Sequence, residues 1–325
     1  MHRIAAIALT LMCSLVSGVA PAPAQTYPQR PIRMLMPLAA GSAVDVVARI
    51  VAEKMAERLG QGIVVENQPG AAGLIGMRAG AKAEPDGYTI IAVNDSVMTM
   101  LPNLRDDAGY DPVRDFAPVV QLVRINWALV AHPSLGVSTL AGLLEKSRAA
   151  PDGIAFASGG NGSPQHIAME LLMQAAGVRL RHVSYRGVTP ALNDVIAGHV
   201  PLMFAGLPLP NEFVRAGTLT LLASASEQRS VVFPDAPTMA EGGLAGFSFY
   251  TWGALLAPAG TPPDIVAQLN AAAVAALADP TVRARLEGLG YSIVANSPAA
   301  FAQALTTDIA RMRAVIRAAR IRADP

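Results

Sequence analysis

Short apolar runs alternate along this chain with glycine-containing loops and with segments in which apolar residues recur at helical spacing. The first unit starts with an apolar run at residues 32–36, passes through a loop at 37–42 and enters a segment in which Val47, Val51 and Met55 lie four positions apart. A four-residue spacing places these side chains on one face of a helix, and an apolar run of about five residues is typical of a buried strand. The sequence therefore predicts a strand, a loop and a helix in this order.

The same alternation continues to the end of the chain. Gly60 follows the first helix as a stop, and Ser163 with Pro164 is a start signal, since serine caps a helix and proline suits its first turn. The further predicted strands are 63–65, 88–93, 128–131, 154–157, 182–185 and 200–204, and the further helices are 139–149, one from 163, one from 189, 261–279 and one from 297. This alternation predicts α/β layers, and the lack of a long linker favours lobes joined by short crossing strands.

The N-terminus has the pattern of an export signal. A short positively charged start precedes an almost wholly apolar stretch at residues 4–19, and residues 22–24 supply the small-x-small pattern after which a signal peptidase cleaves. The stretch is shorter than the roughly 20 residues that span a bilayer. A lipoprotein signal at Cys13 is the competing interpretation, but the bulky residue before this cysteine disfavours it. The sequence predicts removal of residues 1–24 and a mature chain that begins at Gln25.

Composition excludes several classes of protein. Cleavage of the leader would remove the single cysteine, and with it any disulfide, cysteine-ligated metal or cysteine nucleophile. The chain carries 25 Lys and Arg against 24 Asp and Glu, so it lacks the basic excess with which proteins neutralise nucleic-acid phosphates. No second long apolar run follows the leader. We therefore expect a soluble, exported protein with no nucleic-acid partner.

Motifs of common enzymes are missing from the sequence. The chain has no G-x-S-x-G, no G-x-x-x-x-G-K-[ST] and no H-E-x-x-H, so it lacks a nucleophile elbow, a phosphate loop and a zinc-protease motif. His166 and Glu170 have a metal-like spacing on one helix face, but no third ligand is in view, which favours a helix-surface or capping histidine. Gly70, Gly73 and Gly76 lack the dinucleotide-binding spacing and favour a tight strand–helix connection. We expect no catalytic residues, no metal and no cofactor.

Two loops share a design that suits an anion. Residues 37–45 and residues 158–166 each leave a predicted strand, pass through glycines and enter a helix. A helix start offers unpaired amide groups and the positive end of the helix dipole, which favour a carboxylate. In open α/β sheets, ligands lie beyond the carboxyl ends of the strands. Each loop alone is equally well explained as an ordinary connection, but the pair predicts a two-sided grip on one acidic ligand.

Several blocks of sequence add a second line of argument. The most specific is V-E-N-Q-P-G-A-A-G at residues 65–73, followed by P-D-G-Y-T at 85–89. The further blocks are Y-P-Q-R-P-I-R at 27–33, Y-D-P at 110–112 with D-F at 115–116, Y-R-G at 185–187 with A-L-N-D at 191–194, and L-A-P-A-G-T-P at 256–262. In these blocks, from Tyr27 to the final helix, the chain resembles the Bug (tripartite tricarboxylate transporter receptor) family of solute-binding proteins.

The resemblance implies an α/β, type II periplasmic-binding-protein fold, in which two α/β lobes are joined by two crossing segments and close on a ligand between them. After the signal peptide, residues 25–126 and 228–325 are expected to form lobe 1 and residues 127–227 lobe 2. The implied function is a periplasmic "Venus flytrap" that captures a dicarboxylate, a tricarboxylate, an acidic amino acid or an aromatic acid and delivers it to membrane transporter subunits. The alternative is a receptor that presents the solute to a signalling partner. We expect a monomer without enzymatic activity.

The resemblance also implies a site that both lobes share. Its residues are Leu38, Ala39, Ala40, Gly41, Ser42 and Asp45 in the first loop, Asp95 and Ser96 after a later strand, Ser158, Asn161, Gly162 and Ser163 in the second loop, and Tyr185, Gly187 and Ala205. Ser42, Ser158 and Ser163, with neighbouring amides, are the expected donors. Asp45 is expected to cap the helix and shape the loop rather than touch the ligand, and Tyr185 either covers one face of the ligand or packs in the core.

Departures from the family pattern bear on selectivity. The family loop commonly reads P-F-x-P-G-G-x-[ST]-D, whereas Ala40 and Val44 stand here in place of a proline and a hydroxyl residue. Pro201 and Ala205 stand where aspartates are common. We therefore hypothesise that the backbone grip on a carboxylate is kept while selectivity for the distal end of the ligand changes. Asp95 either pairs with an amino group there or caps its own loop.

Overall fold

The computed structural model describes residues 27–105, 107–318 and 321. The predicted leader, residues 1–24, lies outside the described residues, and so do Cys13 and the predicted cleavage point before Gln25. Within the described part, the chain forms a mixed α/β structure in which helices pack against one curled sheet. The α/β class predicted from the alternating pattern is therefore confirmed.

Strands and helices alternate through most of the described chain. The strands are β1 (Ile32–Met36), β2 (Ile63–Asn67), β3 (Thr89–Asn94), β4 (Phe116–Ala131), β5 (Ile154–Ser158), β6 (Leu180–Ser184), β7 (Leu202–Gly206), β8 (Thr220–Ser224), β9 (Tyr250–Pro258) and β10 (Tyr291–Ile293). The α-helices are α1 (Ala43–Leu59), α2 (Leu74–Ala81), α3 (Leu101–Leu104), α4 (Leu140–Ala149), α5 (Pro164–Ala176), α6 (Val188–Ile196), α7 (Asn211–Arg215), α8 (Pro263–Ala278), α9 (Pro280–Gly288) and α10 (Pro298–Ala318). Short 3-10 turns lie at Ala71–Gly73 and Pro133–Leu135, and a π-helical segment lies at Ser96–Met100.

Strand β4 runs through both halves of the sheet. Up to Asn126 it pairs with β9 and β10, and from Trp127 onward it pairs with β7 and β8. Beyond β9 the sheet continues through β3 and β1 to β2, and beyond β7 it continues through β5 to β6. The division into lobes at residue 127 stays a prediction, and the exchange of partners at this point of β4 is the feature that favours it.

The strand directions make the two halves face each other. Strands β1 and β3 run parallel to β4, because both β3 and β4 are antiparallel to β9. Strands β5, β6 and β7 run opposite to β4. The carboxyl ends of β1 and β3 therefore point toward the second half, and those of β5 and β6 point back toward the first. Loops that leave these strands meet at the level where β4 changes partners.

Helix α1 shows how the local sequence sets an element. The Oγ atom of Ser42 accepts a hydrogen bond from the amide of Asp45 at 3.4 Å and so caps the start of the helix. Gly60 ends the helix in the left-handed conformation, with a φ of 69°. Val47 and Val51 lie on the buried face. The predicted stop and inward face of this helix are confirmed, whereas its N-cap is Ser42 and not Asp45, which lies within the first turn.

Several predicted boundaries are wrong. The strand predicted at 128–131 is only the end of β4, which has 16 residues and is buried along most of its length. Because β4 lies centrally in the sheet, its sequence lacks the alternation that marks a half-exposed strand. The helix predicted to start at Thr189 begins at Val188, directly after Gly187. Strands β8, β9 and β10 and helices α2, α3, α7 and α9 were not predicted.

Helices α8 and α9 form one sharply bent pair. Asp279 stands between them and caps α9, since its Oδ1 accepts hydrogen bonds from the amides of Thr281 and Val282. Among the described residues, no single helix is long and apolar enough to cross a membrane. These two helices reach the required length and composition only together, and they are bent by 71° at the junction.

The C-terminal helix α10 closes one face of the sheet through an aromatic contact. The side chains of Phe301 and Trp252 are fully buried, with ring centroids 5.3 Å apart and ring planes at 85°. The indole nitrogen of Trp252 donates a hydrogen bond to Oδ2 of Asp308 at 2.8 Å. Since an edge-to-face pair adds to the gain from burial, this contact anchors α10 on β9.

Replacing Phe301 by alanine should destabilise the protein by about 3–5 kcal/mol, because it leaves a cavity against Trp252. Urea unfolding, followed by tryptophan fluorescence and circular dichroism, measures this loss. Val231→Ala is the control, since its side chain is 83% exposed and should change the free energy of unfolding by less than about 0.5 kcal/mol. Equal effects of the two substitutions would contradict the anchoring role of Phe301.

Candidate functional site

The loops that follow β1, β3, β5 and β6 meet between the two halves of the sheet. One contact shows how closely they approach: a methyl group at Gly162, after β5, would lie 2.5 Å from Cδ1 of Leu104, in the segment after β3. Gly162 also has a φ of +73°, which side-chain-bearing residues rarely adopt. The loop after β5 and the segment after β3 therefore lie against each other where the two halves of the sheet meet.

The first loop, residues 37–42, is held in shape by the carboxylate of Asp45. Oδ2 accepts hydrogen bonds from the Gly41 amide and from Nε of Arg49, both at 3.0 Å, and Oδ1 accepts one from Nδ2 of Asn67 at 2.9 Å. The same Asn67 nitrogen donates to the carbonyl of Leu38 at 3.0 Å. Asp45 is itself buried, and these bonds connect the loop to the first turn of α1 and to β2.

The charge of Asp45 is maintained by its donors. Burial by itself would raise the pKa of this carboxyl, but hydrogen bonds from Arg49, Asn67 and the Gly41 amide outweigh burial and hold the pKa below its usual value. The carboxylate is therefore ionised at neutral pH. Its negative charge also lies in the first turn of α1, where the helix dipole favours it.

The second loop, residues 159–163, repeats this arrangement with a histidine in place of the aspartate. Ser163 caps α5 by accepting a hydrogen bond from the His166 amide at 3.4 Å, and Nδ1 of His166 accepts one from the Gly162 amide at 3.0 Å. Both loops thus read Gly-Ser-x-x-acceptor, with the last side chain bonded to the glycine amide four residues earlier. The acceptor is an anion in the first loop and an imidazole in the second.

His166 lies inside the protein. Its side chain is buried, its ring stacks on His182 with centroids 4.1 Å apart, and its Nε2 lies 3.4 Å from Oε1 of Glu170. The predicted helix-surface position is therefore wrong, because the ring fills the space under the loop, whereas the capping role agrees with its bond to the loop amide. No group of three potential metal ligands occurs among the described residues.

Ser158 stabilises the second loop from below. Its side chain is fully buried, its Oγ lies 2.5 Å from Nε2 of His182, and it accepts a hydrogen bond from the Gly160 amide at 3.1 Å. The hydroxyl is thus committed to other groups of the loop. Ser42 and Ser163 only accept hydrogen bonds as caps of α1 and α5, so their own O–H groups are still able to donate.

The amides that neither these caps nor the helical hydrogen bonds engage belong to the first helical turns. In α1 the first hydrogen bond to a preceding carbonyl comes from Val46, which leaves the amides of Ala43 and Val44 unpaired within the helix. In α5 the first such bond comes from Ile167, which leaves the amide of Gln165. With the amide of Ala40 in the first loop, these N–H groups and the positive helix ends favour an anion between the loops.

The segment after β3 contains a buried acid without a hydrogen-bond partner. Both carboxyl oxygens of Asp95 are inaccessible to solvent, and neither is hydrogen-bonded within the described part of the chain. Asp95 occupies the N-cap position of the π-helical segment that follows, but its side chain accepts no capping hydrogen bond there. Burial, the nearby charge of Asp308 and a smaller opposing effect of Arg311 raise its pKa well above the usual value. Its neighbour Ser96 donates a hydrogen bond to Oδ1 of Asn94 at 2.8 Å.

The remaining predicted residues differ in their exposure. Tyr185 is half-buried, and burial and its 2.6 Å hydrogen bond to Oδ2 of Asp194 raise its pKa to about 12. Gly187 directly precedes α6. Ala205 is fully buried in β7, and Val44 is buried against Gly253 of β9. The departures from the family pattern at these two positions thus fall in the core.

Four residues of this region were missed by sequence reasoning. Asn67 and Arg49 tie the first loop to its helix, His182 supports the second loop, and Leu104 contacts Gly162 across the cleft. Asn67 lies within the family block at residues 65–73, so the sequence drew attention to this residue. It did not indicate that Asn67 contacts Asp45 and the carbonyl of Leu38. The others lie on helices or strands whose neighbours are distant in sequence, and only the fold brings them together.

Comparison with known proteins gives one consistent result. The sequence pattern of the family described as "Tripartite tricarboxylate transporter family receptor" matches residues 47–321. Protein BugT of Bordetella pertussis is 34% identical over 303 residues, which cover 92% of this chain and 92% of BugT. The long match shows that the likeness includes both halves of the sheet and both loops.

Two solved structures are similar and carry named ligands. R. palustris Rpa4515 with adipate has a TM-score of 0.88 and 30% identity, and the match covers 92% of this chain and 100% of that one. MatC (Rpa3494) from Rhodopseudomonas palustris with bound malate has a TM-score of 0.83 and 33% identity, over 89% and 100%. Both ligands are dicarboxylates.

The buried acid predicts a measurable dependence of stability on pH. The raised pKa means that Asp95 stays protonated in the folded protein at pH values where it is ionised in the unfolded chain, so its contribution to stability falls as pH rises from about 4. Asp95→Asn removes this effect. The stability of this variant relative to the parent should grow by about 1.4 kcal/mol per pH unit until the folded-state pKa is reached.

Urea unfolding of parent and Asp95→Asn at several pH values measures this slope. The matched control is Asp152→Asn, which makes the same substitution at an exposed aspartate. A constant difference between Asp95→Asn and the parent across the pH range would show that Asp95 titrates alike in both states.

Proposed function

Because this chain belongs to the tripartite tricarboxylate transporter family of receptors, we propose that it is a periplasmic solute-binding protein that captures a small carboxylate-bearing solute between its two lobes. It then delivers the solute to the membrane subunits of a tripartite tricarboxylate-type transporter. The adipate and malate in the two similar structures support an acidic solute. The family of periplasmic receptors and the export pattern at residues 1–24 support a periplasmic location.

The observation that carries the proposal is the pair of opposed helix starts. The first turns of α1 and α5 belong to different halves of the sheet, and each follows a strand whose carboxyl end points toward the other half. Unpaired amides and helix dipoles then act on one anion from two sides. An anion held by both lobes also stabilises the closed state, because it gains the second set of contacts only on closure.

The proposed lobes follow the predicted division, with residues 25–126 and 228–325 in one and 127–227 in the other. Strand β4 is one crossing segment, and the chain between β8 and β9 is the second. One chain supplies both walls of the cleft, so a monomer is sufficient to bind the solute. A hinge at these crossings would open the cleft without breaking either half of the sheet.

The proposed solute contacts follow from what each predicted residue does. The amides around Ala40, Gly41 and Ser42 and those of the first turn of α1 form the grip of lobe 1, and the residues from Asn161 to Ser163 form that of lobe 2. Leu38, Ala39, Asp45, Ser96, Ser158, Tyr185, Gly187 and Ala205 complete or support the walls. Asp95 supports the wall from inside, in the neutral form. The solute is returned unchanged, since a binding protein transfers its ligand without forming or breaking a covalent bond.

Dicarboxylates should raise the melting temperature of purified residues 25–325. A solute that binds only the folded state stabilises it by mass action, by about 2.7 kcal/mol at a concentration 100 times its dissociation constant. Thermal-shift measurements with malate, adipate and other acids, against the corresponding neutral diamides, test this. A response to the diamides alone, or to no acid at all, would contradict a carboxylate grip.

Gly162→Ala should weaken solute binding by about 5- to 100-fold, because the new methyl group overlaps Leu104 and hinders closure. Isothermal titration with an acid found in the thermal-shift screen measures the change. Gly177→Ala is the matched control: Gly177 has a similar φ of +64° but no neighbour in the direction of the added methyl group. That control should lower stability by about 1 kcal/mol without changing affinity.

Leu104→Ala in the Gly162→Ala background should restore much of the lost affinity, since it removes the overlapping atom. If the double variant binds as weakly as Gly162→Ala, backbone strain in the second loop is responsible and the contact across the cleft is not.

A further inference from the structure

The two loops differ in the group that accepts a hydrogen bond from their glycine amide. In the first loop this group is the carboxylate of Asp45, and in the second it is Nδ1 of His166. The bonds that Asp45 accepts hold the pKa of its carboxyl below the usual value, so it stays an acceptor at neutral and mildly acidic pH. Histidine is instead the side chain that gains a proton between pH 5 and 8. The second loop therefore rests on the one type of acceptor that protonation removes in this range.

The hydrogen bond from Gly162 fixes where the hydrogen of the His166 ring lies. A backbone amide only donates, so Nδ1 carries no hydrogen, and the ring is the neutral form with its hydrogen on Nε2. Oε1 of Glu170 lies beside this nitrogen, at 3.4 Å. A second proton can only go to Nδ1, where it would stand against the N–H of Gly162. Protonation of His166 and the loop geometry of this structure therefore exclude each other.

The surroundings of the ring leave the loop as the part that must move. The His166 side chain is buried, and its ring lies on that of His182 with the two ring planes 6° apart. The ring of His182 is itself stacked on Phe156, with centroids 4.9 Å apart, and its Nε2 lies 2.5 Å from Oγ of Ser158. Residues 159–163 include three glycines, whose backbone adapts readily. Loss of the acceptor therefore releases the loop and leaves the rings in place.

The charged and titratable groups near His166 lie on α5, on and just before β6, and at the end of α10. Glu170 of α5 supplies a counter-charge for an imidazolium, and His182 of β6 opposes a second positive charge beside it. Strands β5 and β7, which pack against α5, contain no ionisable residue. Arg179 and the last turn of α10, which contains Arg317, border the same surface depression as Glu170. An imidazolium at His166 therefore has one carboxylate directly beside it.

The loop that His166 holds is part of the proposed grip on the solute. Gly162 is the point at which the second loop meets Leu104 of the other half. Ser163, the next residue, caps α5 and so orients its first turn, which includes the amide of Gln165. A shift of Gly162 changes both the contact between the halves and the direction of these donors.

We propose that His166 is a positioning residue that makes solute binding depend on pH: its neutral ring holds the second loop in the binding geometry, and its protonation releases the loop and the solute. The inference rests on the proposed function, because it requires the second loop to hold part of the solute. The first loop keeps its shape, since Asp45 keeps its charge. Affinity for an acidic solute therefore falls as the solution becomes more acidic.

His166→Asn tests this role, because Oδ1 of asparagine takes the place of Nδ1 and accepts a hydrogen bond without titrating. Isothermal titration with malate and adipate at about pH 8 and about pH 5, the ends of the range in which histidine titrates, measures the affinities. The ratio of the parent's affinity to the variant's at each pH cancels the ionisation of the solute itself. Between the two pH values the parent should lose about 5- to 30-fold more affinity than His166→Asn.

Two further variants separate the role of His166 from general effects of substitution. His132→Asn is the matched control, since Nδ1 of His132 also accepts a hydrogen bond from a backbone amide, that of Ser134. His132 follows β4 about 16 Å beyond the exchange of partners at Trp127, and the variant should keep the pH dependence of the parent. His166→Leu fills similar space without an acceptor and should bind weakly at both pH values.

Nuclear magnetic resonance of the histidine ring nitrogens gives a second readout in the parent protein, independent of any variant. At about pH 8 the signals of His166 should be those of the neutral ring with its hydrogen on Nε2. Saturating malate or adipate should move the titration of this ring to lower pH, because solute and proton oppose each other through the loop and the coupling is reciprocal.

The outcomes distinguish this inference from the proposed function. A pH dependence in His166→Asn equal to that of the parent, or a titration of His166 that the solute leaves unchanged, would overturn the coupling while the grip on a carboxylate stands. If the parent binds neither acid at either pH, both ideas are overturned. A pH dependence that is lost in His166→Asn and kept in His132→Asn supports the positioning role.

Discussion

The structure depends on the backbone hydrogen bonding of one strand. Strand β4 is the central strand that both halves of the sheet share. It exchanges β9 and β10 for β7 and β8 between Asn126 and Trp127. Every buried amide and carbonyl of a strand needs a partner, so the exchange of ladders fixes where one half ends and the other begins. Because β5, β6 and β7 run opposite to β1 and β3, the carboxyl ends of both halves face the same cleft. The position of both loops follows from this single strand.

Around the cleft, polar side chains are used mainly to shape the backbone. The serine hydroxyls cap helices or bond to a histidine, and Asp45 and His166 each accept a hydrogen bond from a loop glycine. The donors that remain for the proposed solute are amides at two helix starts, whose orientation is fixed by those bonds, and the O–H groups of Ser42 and Ser163, which act only as acceptors in the caps. A preorganised set of this kind loses little entropy when it binds, and it recognises a carboxylate without a charged side chain. Selectivity for the rest of the proposed solute must then come from other residues of the walls.

The residues at which this chain departs from its family do not all bear on the solute. Val44 packs against β9 and Ala205 lies inside β7, so these departures change the packing of the core. Asp95 is also enclosed, and its charge is suppressed by burial rather than by a partner. A neutral Asp95 therefore adds no negative charge to the proposed cleft.

The sequence by itself determined the local features, because these depend on neighbours within a few residues. The end of α1 at Gly60, the start of α5 at Ser163 and the strand at residues 32–36 all follow from capping and from apolar spacing. The family blocks added the overall fold, since they mark positions along the whole chain. Tertiary structure alone decided the length of β4, the stacking of His166 on His182 and the contact of Leu104 with Gly162. Each of these joins residues from separate elements, and no local pattern of sequence records which distant strand or helix will lie beside them.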